Sequence, residues 1–121
     1  MALRDAIQSE LTVALQRRDR PVASALRTAL AAIANAEAAP GAAALDSTVG
    51  SQHFAGATAG LGATEVERLT LTEEQQRVIV TREQAELTAH AERLSALCRH
   101  DDAAQARRAA DALAHALDQA R

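Results

Sequence analysis

A single aromatic side chain, Phe54, stands in 121 residues, and that scarcity limits the ways such a chain can build an interior. Hydrophobic residues still make up 48%. The apolar content is therefore mostly alanine, with leucine, valine and isoleucine added. Alanine has the best intrinsic helix propensity, and leucine, arginine, glutamate and glutamine follow closely. Strands draw on β-branched and aromatic residues, which are scarce here. The composition predicts helices around a thin core, because burial is worth about 25 cal/mol per Å² and an alanine has little area to bury. The length supports one modest core, so residues 1–121 read as a single domain.

The spacing of the apolar residues agrees. Leu3, Ile7, Leu11 and Leu15, with Ala14 beside them, form one stripe on a first helix from about Ala2 to Arg18. Asp19 is an N-cap residue and Pro21 is tolerated in a first turn, so Arg17 to Pro21 closes one helix and opens the next. In that second helix, Val22, Leu26, Ala29, Leu30 and Ile33 share a face. Ser24, Thr28, Ala31 and Asn35 lie opposite, with Arg27 at the edge.

From Ala39 to about Ala63 the pattern gives way to a stretch holding all five glycines and Pro40, read as a flexible linker. Residues 64–71 read as extended. Thr72-Glu73-Glu74-Gln75 matches a capping box and opens a third helix. Its apolar positions, Ile79, Val80, Leu87, Ala91, Leu94, Leu97 and Cys98, carry it to about Arg99. His100-Asp101-Asp102 supplies a break and a new cap, and Ala103, Ala106, Ala110, Leu113 and Leu117 line a fourth helix. The expected fold is all-α. Two antiparallel helical hairpins, 1–38 and 71–121, form a small four-helix bundle joined by a Gly/Ala-rich linker at 39–70.

Few chemistries fit these residues. Cys98 and His100 with two aspartates lack the further ligands a zinc site needs. Glu83, Glu86 and His90 lack the paired Glu-x-x-His of a diiron bundle, and pairing with an arginine such as Arg18 or Arg27 is expected for them instead. The linker glycines are not followed by the lysine and hydroxyl residue of a phosphate-binding loop. No catalytic constellation, cofactor site or metal site is expected. The lone cysteine fits a reducing compartment, and the N-terminus has no signal-peptide core, so cytoplasm is the expected location. No apolar run approaches the roughly 20 residues needed to span a bilayer.

The formal net charge of −3 carries no global basic excess, so any nucleic-acid contact has to be local. The candidate is Arg17, Arg18 and Arg20 at the first turn, with Arg27 about two turns into the second helix. All thirteen basic residues are arginines, which reads as codon usage in a GC-rich genome. Four arginines on one surface suffice for weak, salt-sensitive RNA contact. A solvated turn, with the arginines pairing to Asp19 and complementing the first helix's C-terminus, is the competing reading.

Leu15-Gln16-Arg17-Arg18-Asp19, followed by Leu26-Arg27-Thr28-Ala29-Leu30-Ala31-Ala32-Ile33-Ala34-Asn35-Ala36-Glu37, resembles the signature of the GatB/YqeY domain family. Gly60 to Arg68, Leu71-Thr72-Glu73 and the region from Ile79 to Glu83 resemble the matching part of its short members. The family often has lysine where this chain has Ala34, and its longer members continue into a further helical module that the short form lacks.

The resemblance implies an all-α, cytoplasmic protein. Members of that family are similar to the tail of the B subunit of glutamine-dependent aminoacyl-tRNA amidotransferase, a tail that helps hold tRNA while the chemistry sits elsewhere. The activity the resemblance implies is that ascribed to free-standing members of the family, carbon-nitrogen ligase activity with glutamine as amido-N-donor. On that basis Arg17, Arg18, Arg20, Arg27 and Asn35 are the expected contacts to tRNA or to an amidotransferase-like complex, in a non-catalytic accessory. The alternative is a helical protein-interaction module or homo-oligomer, its thin bundle completed by self-association or by another helical protein.

Overall fold

The computed structural model describes residues 1–48 and 70–121, the stretch 39–48 by its backbone alone. The described residues form four helices and no strand: α1 (Leu3–Gln16), α2 (Arg20–Thr48), α3 (Glu73–Ala96) and α4 (His100–Gln119). The fold is an all-α bundle, as the composition requires.

The chain divides into two compact units, Met1–Ile33 with Thr72–Arg121, and Ala34–Leu71. The second unit holds the rest of α2, which runs on past the expected end at Ala38, through Pro40 and Gly41, to Thr48. Interior proline and glycine cost about 3 and about 1 kcal/mol of helix propensity. The alanines on both sides of this pair, at 38–39 and 42–44, favour continuation. Linker residues 49–63, and the extended reading of 64–69, fall outside the described residues.

The first unit is built on α3 and α4, which pack along most of their length, with α1 laid against α4. Its fully buried large side chains are Leu3, Ile7, Leu26, Ile33, Val80 and Leu113. Alanine fills the rest. Ala103, Ala106, Ala109, Ala110 and Ala116 are all buried on α4, in the i, i+3, i+4 pattern of a core-facing seam.

Two stripes differ from the expectation. On α1 the buried seam is Leu3, Ala6, Ile7 and Ala14, while Leu15 is 48% exposed. Steps of four residues overshoot a 3.6-residue turn by about 40° each, so the third step from Leu3 has turned away from the core. On α3, Val80 and Ala91 are buried, but the helix ends at Ala96 and leaves Leu97 69% exposed with Cys98 in the turn.

Both hairpin turns use the same backbone device. After α1, Arg18 takes φ 57°. Its N–H donates to the Leu15 carbonyl at 3.1 Å, and the Asp19 N–H donates to the Ala14 carbonyl at 2.9 Å. After α3, Cys98 takes φ 63°. Its N–H donates to Ser95 at 2.9 Å and the Arg99 N–H to Leu94 at 2.8 Å. This pairing of bonds is the Schellman motif, here with arginine and cysteine at the left-handed position that glycine usually fills.

The helix ends are satisfied partly by neighbours. Thr72 and Gln75 complete the expected capping box of α3. Ala2 provides α1 with no side-chain cap. Instead Glu73 accepts the Leu3 N–H at 3.0 Å. Arg77 Nη1 donates to the Leu117 carbonyl at 3.0 Å, in the last turn of α4. The first two turns of α3 thus serve an orphan donor of one helix and an orphan acceptor of another. At α4 the expected cap at His100–Asp102 is not formed. The N-cap is Arg99, with no side-chain cap bond, and its guanidinium pairs with Asp102 at 2.6 Å.

Candidate nucleic-acid interface

The turn between α1 and α2 positions the basic cluster. Arg18 is thrown outward by the left-handed backbone that ends α1, and Arg20 is the first residue of α2. Arg27 follows two turns later, on the same side of the helix as Arg20. Ala14 and Leu15 on α1 and Ala23 on α2 supply an apolar floor. Together these residues and Asp19 line an open groove of about 290 Å³. Leu15, turned from the core by its helical register, contributes its exposed side chain to this floor.

Arg17, Arg18, Arg20 and Arg27 are all exposed. The groove gathers Arg18, Arg20 and Arg27, while Arg17 lies outside its lining and acts on Asp19 through its charge. Asn35 is exposed on the part of α2 that belongs to the second unit.

Asp19 is the one acid among the groove's described lining residues. It precedes α2 as the sequence predicts, its carbonyl accepting the Ala23 N–H at 3.0 Å. Its carboxylate is held from across the bundle. Arg108 on α4 donates Nε to Oδ2 at 3.2 Å and Nη2 to Oδ1 at 3.1 Å. That hydrogen-bonded guanidinium keeps the Asp19 carboxyl below its ordinary pKa, helped by the Val22 N–H and by the charges of Arg108 and Arg17, against a smaller opposing effect of burial. Reciprocally, the bond to Asp19 raises the Arg108 guanidinium. Arg108 is the residue that sequence reasoning did not find. It lies 89 positions from its partner, and no local spacing announces the pair.

The other polar candidates do not converge. The charges acting on Glu83 are Glu86, which together with the larger effect of burial raises its pKa, and Arg82, which lowers it. The expected pairing with Arg18 or Arg27 is not among the described ion pairs. His90 lines a separate hollow of about 360 Å³ with Leu87, Leu94, Arg99 and Asp102. Among the described residues, no three His, Cys, Asp or Glu side chains stand close enough to hold a metal ion. Nor is any described helix long and apolar enough to cross a membrane.

Comparisons with protein-family models, with curated proteins and with solved structures found no match to this chain.

Proposed function

We propose that this protein is a non-catalytic accessory that contacts the phosphate backbone of tRNA through Arg18, Arg20 and Arg27, with Arg17 adding to the local field. The observation that supports it best is the convergence of these three arginines on one groove whose single acid is already paired with Arg108. Three guanidiniums above an apolar floor suit a phosphodiester chain, since each neutralised phosphate releases counterions. Arginine's planar fork matches phosphate oxygens in pairs. The resemblance to the GatB/YqeY family suggests tRNA, alone or within an amidotransferase-like complex in the cytoplasm, as the source of those phosphates. The ligase label belongs, on this reading, to the larger enzyme. Self-association remains the competing reading, and exposed Val13, Val78 and Leu97 are where a helical partner would be sought.

The test is a fluorescence titration of total tRNA with the whole protein at about 20 mM and about 150 mM salt. Binding is expected at the lower concentration, weakened by about tenfold or more when Arg18, Arg20 and Arg27 are all changed to alanine. No binding at low salt, or binding indifferent to the three substitutions, refutes the proposal.

A further inference from the structure

The groove presents a problem that its own residues do not solve. Asp19 sits among Arg18, Arg20 and Arg27. An unpaired carboxylate there would draw one of those guanidiniums to itself and repel an incoming phosphate. It cannot be discarded freely, because it also precedes α2 in the N-cap position. The solution comes from α4. Arg108 reaches Asp19 with two hydrogen bonds and occupies both carboxylate oxygens.

We infer that Arg108 is a positioning residue for anion binding in this groove, one that engages Asp19 so that Arg18, Arg20 and Arg27 stay available to phosphate. The inference rests on the reading of the groove as a phosphate site. It goes beyond that reading in naming a determinant on a different helix that does not line the groove. A bidentate arginine is suited to the task, because two parallel bonds fix the carboxylate's orientation where a lysine would offer one point charge. Arg108 carries no ligand contact in this scheme, which separates it from a fourth phosphate-binding arginine.

The distinguishing experiment is a double-mutant cycle on the whole protein, with R108A, D19N and the R108A/D19N double variant. Asparagine suits the cap role, since it is as good an N-cap as aspartate. Two probes are used at about 100 mM salt, where charges more than about 10 Å apart are screened. These are total tRNA, followed by fluorescence, and inorganic tripolyphosphate, followed by calorimetry. R108A is expected to weaken binding about fivefold when residue 19 is aspartate and less than about twofold when it is asparagine.

An equal loss in both backgrounds would make Arg108 a direct ligand or a long-range charge, and would overturn the inference. If tripolyphosphate follows the expected pattern while tRNA does not bind, the inference stands and the tRNA reading falls. If the wild-type protein binds neither probe at about 100 mM salt nor at about 20 mM, both fall. R108Q, which keeps much of the stem, replaces R108A should the alanine variant lose its helical far-UV signal, with the same pattern required.

Discussion

Arg108 and Asp19, 89 residues apart in the chain, meet in a two-bond pair that fastens α4 to the turn between α1 and α2. Two turns further along α4, His115 meets Glu10 on α1 through its Nδ1. The antiparallel register of α1 and α4 is therefore marked by two polar contacts on one side of a seam whose interior is mostly alanine.

The Asp19 carboxyl titrates below its ordinary range in the folded protein. Its contribution to stability is present above the unfolded carboxylate's value of about 4 and is lost as pH falls through the lower folded value. Asp19→Ala removes the carboxylate from the cap position as well as the ion pair, and is expected to cost about 1 kcal/mol or somewhat more at pH 7. Asp19→Asn, which can still cap, costs less. Urea unfolding at pH 7 and pH 3 checks this, and the gap between wild type and D19A must narrow at the lower pH.

Glu83 behaves in the opposite sense. Burial first, and Glu86 second, raise its pKa in the fold. The folded state thus favours the protonated acid, and stability is lost as pH rises through the raised folded value. Glu83→Gln is expected to increase the thermal midpoint at pH 7 and to leave it unchanged near pH 3. A gain of equal size at both pH values would mean that charge is not the cause.

Arg18 and Cys98 hold left-handed backbone that costs a residue with a Cβ roughly 1–2 kcal/mol. Glycine avoids that cost, although its freer unfolded chain returns part of the gain. Cys98→Gly is expected to stabilise by about 0.5 kcal/mol, while Cys98→Ala, which keeps the Cβ, does not. Chemical denaturation under reducing conditions separates the two.

Leu113 is fully buried and Leu97 is 69% exposed. Leu113→Ala is expected to cost about 2–4 kcal/mol through lost burial and the cavity left behind. Leu97→Ala should stay within about 0.5 kcal/mol. Comparable losses at the two positions would show that Leu97 is covered in solution, which would favour the self-association reading.

Features whose causes lie a few residues apart were legible in the sequence. The Thr72–Gln75 capping box and the α4 seam of Ala103, Ala106, Ala110, Leu113 and Leu117 follow from spacing alone. Three of the groove's arginines could be named for the same reason. The contacts that organise the groove and the helix ends could not. Glu73 reaches Leu3 across 70 residues, Arg77 reaches Leu117 across 40 and Arg108 reaches Asp19 across 89. The continuation of α2 through Pro40 and Gly41 was hidden for a different reason, because two strong breaking signals stand inside an alanine run and local rules weigh them most.

The alanine face of α4 has a consequence for how this sequence can drift. Ala103, Ala110 and Ala116 are 0%, 5% and 0% exposed and line neither the groove nor the hollow beside His90, so a longer side chain there meets the neighbouring helices, whereas Ala106 and Ala109 border that hollow. Replacing Ala103, Ala110 or Ala116 with leucine keeps the position apolar yet forces neighbours apart, at a cost of about 1–3 kcal/mol. Glycine loosens the helix instead, by about 1 kcal/mol. A saturation scan of α4 would therefore trace bulk rather than polarity, with Ala103, Ala110 and Ala116 intolerant of growth and Ala106 and Ala109 more accepting of it, and divergent copies of the chain would vary least along that narrow line.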